Sequence, residues 1–237
     1  MRSWTPLVLA LGCLVTLPVA RLMGAAAEAT RAEAGMVERF INDIEKVPIP
    51  YQAVRRLEAS STKLNESAWM EAFTEYTRER GFQYRVLSQG GSERILNRAL
   101  KAVLVSEKEN IGEWRKGALT RENYDMIFES RTADGLLKVQ LNPRRRDSRL
   151  LDGVAWLASQ TGALVRLEGR LSKSPSFWVR WVSVTRKYAP IHGTMMPTAV
   201  ESTADVKIAG MSTFTMVYRY AAVDGQTVST APQILAR

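Results

Sequence analysis

The sequence contains one cysteine, Cys13, and one histidine, His192, among 237 residues. Metal sites built from Cys and His ligands therefore have almost no ligands to draw on, and thiol chemistry has a single candidate. The histidine falls in "YAPIHGTMMP", a turn-forming stretch, and neither a G-x-S-x-G motif nor a G-x-x-x-x-G-K-[ST] loop occurs anywhere. These absences make enzyme activity the weaker expectation, and they predict neither a metal nor a cofactor.

Acidic residues are outnumbered by basic ones, which gives a formal net charge of +9 at pH 7. A basic surface attracts anionic partners such as lipid head groups, lipopolysaccharide phosphates or cell-wall polymers, although net charge alone selects none of them. The densest basic stretch is "PRRRDSR". Its four arginines are either the solvated end of a hairpin or a contact for head groups and anionic membrane surfaces; they are Arg144, Arg145, Arg146 and Arg149.

The N-terminus has the pattern of a secretory signal peptide. A basic start at Arg2 precedes an apolar run, and small residues follow at positions 25–27. We predict cleavage near Ala27, so that residues 1–27 are a signal peptide and residues 28–237 form a single exported domain, for which nucleic acid is a disfavoured partner. Alternatives are retention of the segment as an anchor and lipoprotein anchoring at Cys13, which the continued apolar run after that cysteine disfavours.

Two stretches have the three- and four-residue apolar spacing of amphipathic helices. Residues 32–47 place Met36, Phe40 and Ile44 on one stripe and end before two prolines. Residues 92–110 place Leu96, Leu100 and neighbouring apolar residues on one face, after a Gly-Gly break and a serine suited to capping. Two principal helices are therefore expected.

The rest of the chain is predicted to be strands. Residues 51–91 favour an early hairpin with a turn at Arg80-Gly81, although residues 68–79 also suit a helix. From Thr120 onward, alternating segments follow one another with turns at regular short intervals, which is typical of an antiparallel meander. Roughly ten strands are expected, and a sheet of that size must curl or close on itself.

The stretch "SPSFWVRWVSVTRKY", residues 174–188, is apolar on both faces. Phe177, Val179 and Trp181 alternate with Trp178, Val182, Val184 and Tyr188. A strand with one solvated face would alternate apolar with polar residues, so both faces of this strand need cover from protein or from an apolar ligand.

Taken in order, these elements resemble the LolA-like family of periplasmic lipoprotein-sorting proteins. The resemblance rests on "NYDMIFESR", "GLLKVQLNPRRRD", a "DGVAWL" strand leading to "LVRLEG", and a Trp-rich strand before "MPTAVES". It implies an α+β fold: a strongly curved, open antiparallel half-barrel with helices across its concave face. It also implies an apolar cavity for acyl chains between helices and sheet.

The resemblance implies a non-enzymatic periplasmic carrier that binds lipid or lipoprotein acyl chains and exchanges them with membrane-bound loading or unloading partners. The alternative is a periplasmic sensor or scaffold of similar fold that binds an exported protein in envelope regulation. Alternation of apolar residues supplies the candidates for the cavity, which are Leu96, Leu100, Trp156, Val165, Leu167, Leu171, Phe177, Val179, Trp181, Phe214, Met216 and Tyr218.

Overall fold

The computed structural model describes residues 31–42 and 48–229, so the predicted signal peptide lies outside the described residues. Helix α1 covers residues 31–42. The helical segment after the third strand comprises α2 (Glu93–Ile95), a π-helical turn (Leu96–Leu100), α3 (Lys101–Asn110) and a 3₁₀ stretch (Ile111–Gly117). The strands are β1 (Tyr51–Ser61), β2 (Glu66–Thr77), β3 (Gly81–Gly91), β4 (Tyr124–Arg131), β5 (Leu136–Pro143), β6 (Leu151–Ala158), β7 (Leu164–Leu171), β8 (Val179–Ile191), β9 (Thr194–Val206), β10 (Gly210–Val223) and β11 (Gln226–Thr227).

The strands form one antiparallel sheet in the order β3-β2-β1-β10-β9-β8-β7-β6-β5-β4, with the short β11 beside β10. The edge strands β3 and β4 do not pair with each other, so the sheet is open. Tight hairpins join neighbours where residues adopt left-handed backbone, as at His192 (φ 49°) and Asp224 (φ 47°), each followed by glycine. The predicted open antiparallel sheet with helices is confirmed, as is the strand assignment of residues 68–77. Among the described residues, we find no helix with the length and apolar character needed to cross a membrane.

One face of the sheet is almost entirely apolar and forms the concave, inner side. Side chains directly opposite each other on paired strands point to the same face, so the register traces a row across nine strands. Its single charged member lies in the middle. The row runs Met70, Leu57, Met216, Val200, Arg186, Leu167, Ala155, Val139 and Phe128.

Both helices cover this inner face. Phe40 and Ile41 of α1 are buried against β5, β6 and β7, whereas Leu100 and Leu104 are buried against β1, β2 and β3. Val184 on β8 contacts both groups of core residues, which places the two helices on the same side of the sheet. The helical prediction for residues 32–47 is confirmed up to residue 42, and the remainder lies outside the described residues.

The convex, outer face carries tryptophans that no helix covers. Arginine side chains lie over them instead, which shields the rings while the charged ends remain in water. This explains how a strand can be apolar on both faces. The pairs, with guanidinium-to-ring distances, are Arg56–Trp69 (4.2 Å), Arg166–Trp156 (4.9 Å) and Arg170–Trp181 (4.8 Å).

Strands β6 and β7 approach most closely at a pair of glycines. Gly153 and Gly169 lie opposite each other. A Cβ atom added to Gly153 would lie 2.0 Å from the carbonyl oxygen of Glu168 and 2.5 Å from the Cα of Gly169. No side chain fits there without moving the backbone, so the close pairing of β6 with β7 at this point depends on glycine.

We predict that Gly153→Ala lowers the free energy of unfolding by about 1–3 kcal/mol, because the added methyl group forces the two strands apart. Urea denaturation of the two proteins measures the difference. Gly112→Ala is the matched control, since a Cβ atom there meets nothing within 4 Å. Equal losses in both variants would contradict a special role for the close approach at Gly153.

Candidate functional site

Part of the inner face is not covered by either helix, and a cavity of about 410 Å³ lies over this part. Its floor is the inner face of β6, β7 and β8. Its cover is the chain from the 3₁₀ stretch to the residues just after it, residues 111–119, which we call the lid. The lining residues are Pro48, Trp114, Gly117, Ala118, Leu119, Tyr124, Arg149, Leu151, Leu164, Leu167, Leu171, Val184, Arg186 and Tyr188.

Polar contacts hold the lid to the loop between β5 and β6. Arg149 pairs with Glu113 at 2.9 Å, and an Arg145 guanidinium nitrogen donates to the carbonyl oxygen of Lys116 at 2.6 Å. The buried side chain of Asn123 donates to two lid carbonyl groups from below. Exposed ion pairs of this kind are each worth about 0–1 kcal/mol. The exposed part of the lid is therefore held by weak contacts, whereas Asn123 and the buried Leu119 fix its C-terminal end.

The predicted anion-binding arginines take part in this local network. The Arg149 guanidinium holds the pKa of the Asp147 carboxyl far below its usual range, because it donates hydrogen bonds to the ionised form. Arg146 is exposed and, among the described residues, makes no ion pair. The pairs of the other three are Arg144–Asp125 (2.5 Å), Arg145–Asp147 (3.6 Å) and Arg149–Asp147 (2.8 Å). The structure thus gives three of the four a part in holding the chain together.

A buried arginine fixes helix α3 to the sheet. Arg55 on β1 is 1% exposed, and its two terminal nitrogens donate to the carboxylate of Glu107 at 2.6 and 2.9 Å. It also donates to the Tyr51 hydroxyl. The guanidinium lies over the rings of Phe82 and Tyr218, 5.0 and 4.7 Å from their centroids. Few charged groups are so completely enclosed by their partners.

The titration of this group reflects its surroundings. Burial lowers the pKa of Arg55, but the neighbouring Tyr218 and Glu107 more than offset that effect, so the pKa lies above its ordinary value. Burial raises the pKa of the Tyr51 hydroxyl, which keeps that group protonated. The guanidinium of Arg55 therefore keeps its charge in this buried position.

The predicted cavity residues separate into distinct places. Leu167 and Leu171 line the cavity. Five others fill the space between the helical segment and β10 instead, and these are Leu96, Leu100, Phe214, Met216 and Tyr218. That half of the inner face is packed, with Leu100 fully buried.

The remaining predicted cavity residues lie elsewhere. Trp156 and Trp181 are on the outer face beneath arginine side chains, which corrects their placement in an inner cavity. Phe177 precedes β8, in a loop, and is 77% exposed. Val179 begins β8 opposite Val206, at the end of the sheet. Val165 is the extra residue of a bulge in β7 and belongs to no core cluster.

Several lining residues were not predicted. Leu151 and Leu164 lie on short apolar strands and could have been found by extending the alternation. In the Trp-rich stretch, Arg186 and Tyr188 are on the same face of the strand as Val184. The prediction instead placed the opposite face, that of Trp181, in the cavity. Trp114 comes from a 3₁₀ stretch, which has no clear signature in the sequence.

A second cavity, of about 510 Å³, lies at the β8–β9 hairpin and includes His192 and Tyr220. A ring nitrogen of His192 lies 3.1 Å from the carbonyl oxygen of Thr227, and the side chain is exposed. The Tyr220 hydroxyl donates to the Pro197 carbonyl oxygen. Thr198 and Arg219, which also line this cavity, bind the Lys187 carbonyl oxygen and the Glu71 carboxylate. Within residues 31–42 and 48–229, no cluster of His, Cys, Asp and Glu has the composition of a metal site.

No protein-family model and no curated protein matches the sequence. Solved structures are similar to it in fold. They include a DUF1329 family protein from Desulfovibrio piger, with 10% identity, a TM-score of 0.40, and coverage of 87% of this chain and 96% of that chain. A protein described as an outer membrane lipoprotein-sorting domain, from Vibrio parahaemolyticus, has 8% identity and a TM-score of 0.43, with coverage of 87% and 96%. A LolA superfamily protein from Nitrosomonas europaea has 10% identity and a TM-score of 0.39, with coverage of 86% and 97%. Each of these likenesses stands at 10% identity or less and at a TM-score below 0.5.

Proposed function

We propose that this chain is an exported, non-enzymatic carrier that holds the acyl chain of a lipid or lipoprotein in the cavity beneath the lid. The observation that supports this function is an apolar cavity of about 410 Å³ on the inner face of an open sheet. Pockets for small organic ligands span about 300–1,000 Å³. Leu164, Leu167 and Leu171 provide a continuous apolar wall along β7.

The energy available is sufficient for a carrier. Each buried methylene contributes about 0.8 kcal/mol, so a sixteen-carbon chain gains on the order of 10 kcal/mol before the costs of association. A carrier must also release its ligand. A cover held by surface ion pairs at Glu113 and Arg149 suits this requirement better than the packed half of the sheet does.

Organic-solvent extraction of the purified protein tests the proposal. We expect co-extracted lipid at close to one molecule per chain, detected by mass spectrometry, because a bound acyl chain removes the apolar cavity wall from water. Heat-treated protein re-purified after delipidation serves as the control for surface-bound lipid. A clean extract, together with a stoichiometric protein partner from envelope fractions, would instead support a sensor or scaffold.

The proposed entry route is through the lid, which must move for a chain to enter. Gly117 and Arg149 allow a direct test, because a Cβ atom on Gly117 would lie 3.3 Å from the Cβ of Arg149. Cβ atoms of disulfide-bonded cysteines lie about 3.5–4.5 Å apart. A small adjustment would therefore let a Gly117→Cys, Arg149→Cys pair close.

We predict that oxidising this pair, in a Cys13→Ser background, slows uptake and release of a fluorescent fatty acid by about tenfold or more, and that a reductant restores both rates. Stopped-flow fluorescence measures them. The Gly117→Cys single variant controls for oxidant and side-chain effects. Identical rates in the oxidised and reduced double variant would show that the ligand does not pass beneath the lid.

A carrier of this kind must also meet a membrane or a membrane-bound partner. At one end of the sheet, Phe177 and Trp178 are 77% and 54% exposed, and Ile208 beside them is 56% exposed. The Lys207 ammonium lies 3.3 Å from the centre of the Phe177 ring. The loop that carries the aromatic pair begins just after Leu171, which lines the cavity.

We propose that this aromatic rim, Phe177, Trp178 and Ile208, enters the interface of an anionic bilayer. Tryptophan and phenylalanine are favoured at that depth, and lysines beside them attract anionic head groups. Lys63 and Lys173 are exposed at the same end of the sheet. The positive charges of these two lysines complement the anionic head groups of the bilayer, and neither lysine takes part in the contacts that hold the lid.

Replacing Phe177 and Trp178 by serine should weaken binding to phosphatidylglycerol-containing vesicles by about tenfold or more, because two large apolar side chains no longer insert. Vesicle co-sedimentation at fixed salt measures the change. Ile127→Ser on edge strand β4 is the matched control, since Ile127 is also 56% exposed but lies away from the rim. Equal binding by the rim variant and the wild type would rule out this contact.

A further inference from the structure

The inner row of the sheet has one charged residue, Arg186, at its centre. On the neighbouring strands it lies opposite Val200 and Leu167. Along its own strand, Val184 and Tyr188 flank it, and all three side chains line the cavity beneath the lid. This arginine has apolar neighbours on both sides, and its exposed side chain faces the cavity, so its guanidinium is available to a ligand there.

The other inward arginine shows what a satisfied charge looks like in this protein. Arg55 is 1% exposed and bound to the Glu107 carboxylate through two hydrogen bonds. Arg186, in contrast, takes part in none of the ion pairs formed within the described part of the chain. Its side chain is exposed and lines the cavity.

The guanidinium of Arg186 keeps its charge in this position. The nearby Tyr188 raises the pKa of Arg186 and outweighs the opposing effect of burial, so the pKa lies above its ordinary value. Tyr218 contributes in the same direction, and burial raises the pKa of its own hydroxyl. Glu107 adds to the rise in the pKa of Arg186, but its two carboxylate oxygens are bound by Arg55. A permanent positive charge beside a largely apolar cavity therefore attracts a further anion.

We propose that the ligand beneath the lid is an anionic amphiphile whose acidic head group, a carboxylate or a phosphate, binds Arg186 while its chain lies along Leu164, Leu167 and Leu171. This inference rests on the proposed carrier function and adds the chemical class of the ligand. A guanidinium offers paired N–H donors that match either oxyanion. The Tyr188 hydroxyl, next to Arg186 on the same strand, is a further donor for the head group.

The test compares ligands that differ only at the head. Displacement of the uncharged probe N-phenyl-1-naphthylamine from the full chain is measured with hexadecanoic acid, hexadecan-1-ol and palmitoyl-lysophosphatidylglycerol. We expect the wild type to bind hexadecanoic acid or the lysophospholipid at least about tenfold more tightly than the alcohol, since hydrogen bonds to charged groups contribute about 1.5–3 kcal/mol. The stronger of the two acidic ligands identifies the source as free fatty acid or lipid head group.

Arg186→Met should abolish this preference while leaving alcohol and probe binding intact, because methionine preserves the apolar row. Arg186→Gln, which keeps a polar side chain without charge, should lose the preference as well. Arg166→Met is the matched control: Arg166 lies on the adjacent strand but covers Trp156 on the outer face. Thermal melting of each variant establishes that it is folded.

The outcomes separate the inference from the function on which it rests. Equal affinity of the wild type for acids and alcohol would overturn the anionic-ligand inference and leave the carrier standing. A preference for acids that survives in both Arg186 variants would overturn the assignment to Arg186. If neither probe nor any long-chain ligand binds the wild type, the carrier proposal itself fails.

Discussion

The Arg55–Glu107 ion pair decides which part of the inner face remains open. By joining β1 to α3, it places the helix over β1, β2 and β3, where Leu100 and Leu104 complete a packed core. The chain that follows must then cross towards β6 with only a short 3₁₀ stretch. A buried ion pair is weak as a source of net stability but strong as a determinant of position, because a charge left without its partner is costly. The cavity is therefore a consequence of where the helix is fixed.

Curvature is the second condition for the cavity. A flat sheet of this many strands would bring both helices down onto one plane and leave no depth between them and β7. Bulges on β6–β7 and β8 and the glycine contact at Gly153 bend the sheet locally. The two core clusters meet at Val184. The cavity lies beside that residue, on a part of the sheet that neither helix covers.

The order of elements could be predicted from the sequence because alternation and turn residues are local signals. The sequence could not predict which face of the Trp-rich strand points inward, because the residues on both faces are apolar. Trp181 was placed in the cavity, but Arg170 covers it on the outer face from a neighbouring strand. Cross-strand pairing of Arg with Trp depends on register, and register is set by bulges that leave no trace in a single sequence. The lid was missed for a similar reason, because a 3₁₀ stretch has no apolar period.

The two inward-facing arginines show how the same residue type can serve the fold or the ligand. Arg55 has its counter-charge, its hydroxyl partner and aromatic rings against it, and it is buried away from the cavity, although its Nε has no hydrogen-bond partner. Arg186 has aliphatic neighbours in its row and a cavity in front of it. If this charge served packing alone, an apolar residue would do better at lower cost. An acyl chain alone would gain nothing from it, whereas an acidic amphiphile would satisfy both the apolar wall and the guanidinium at once.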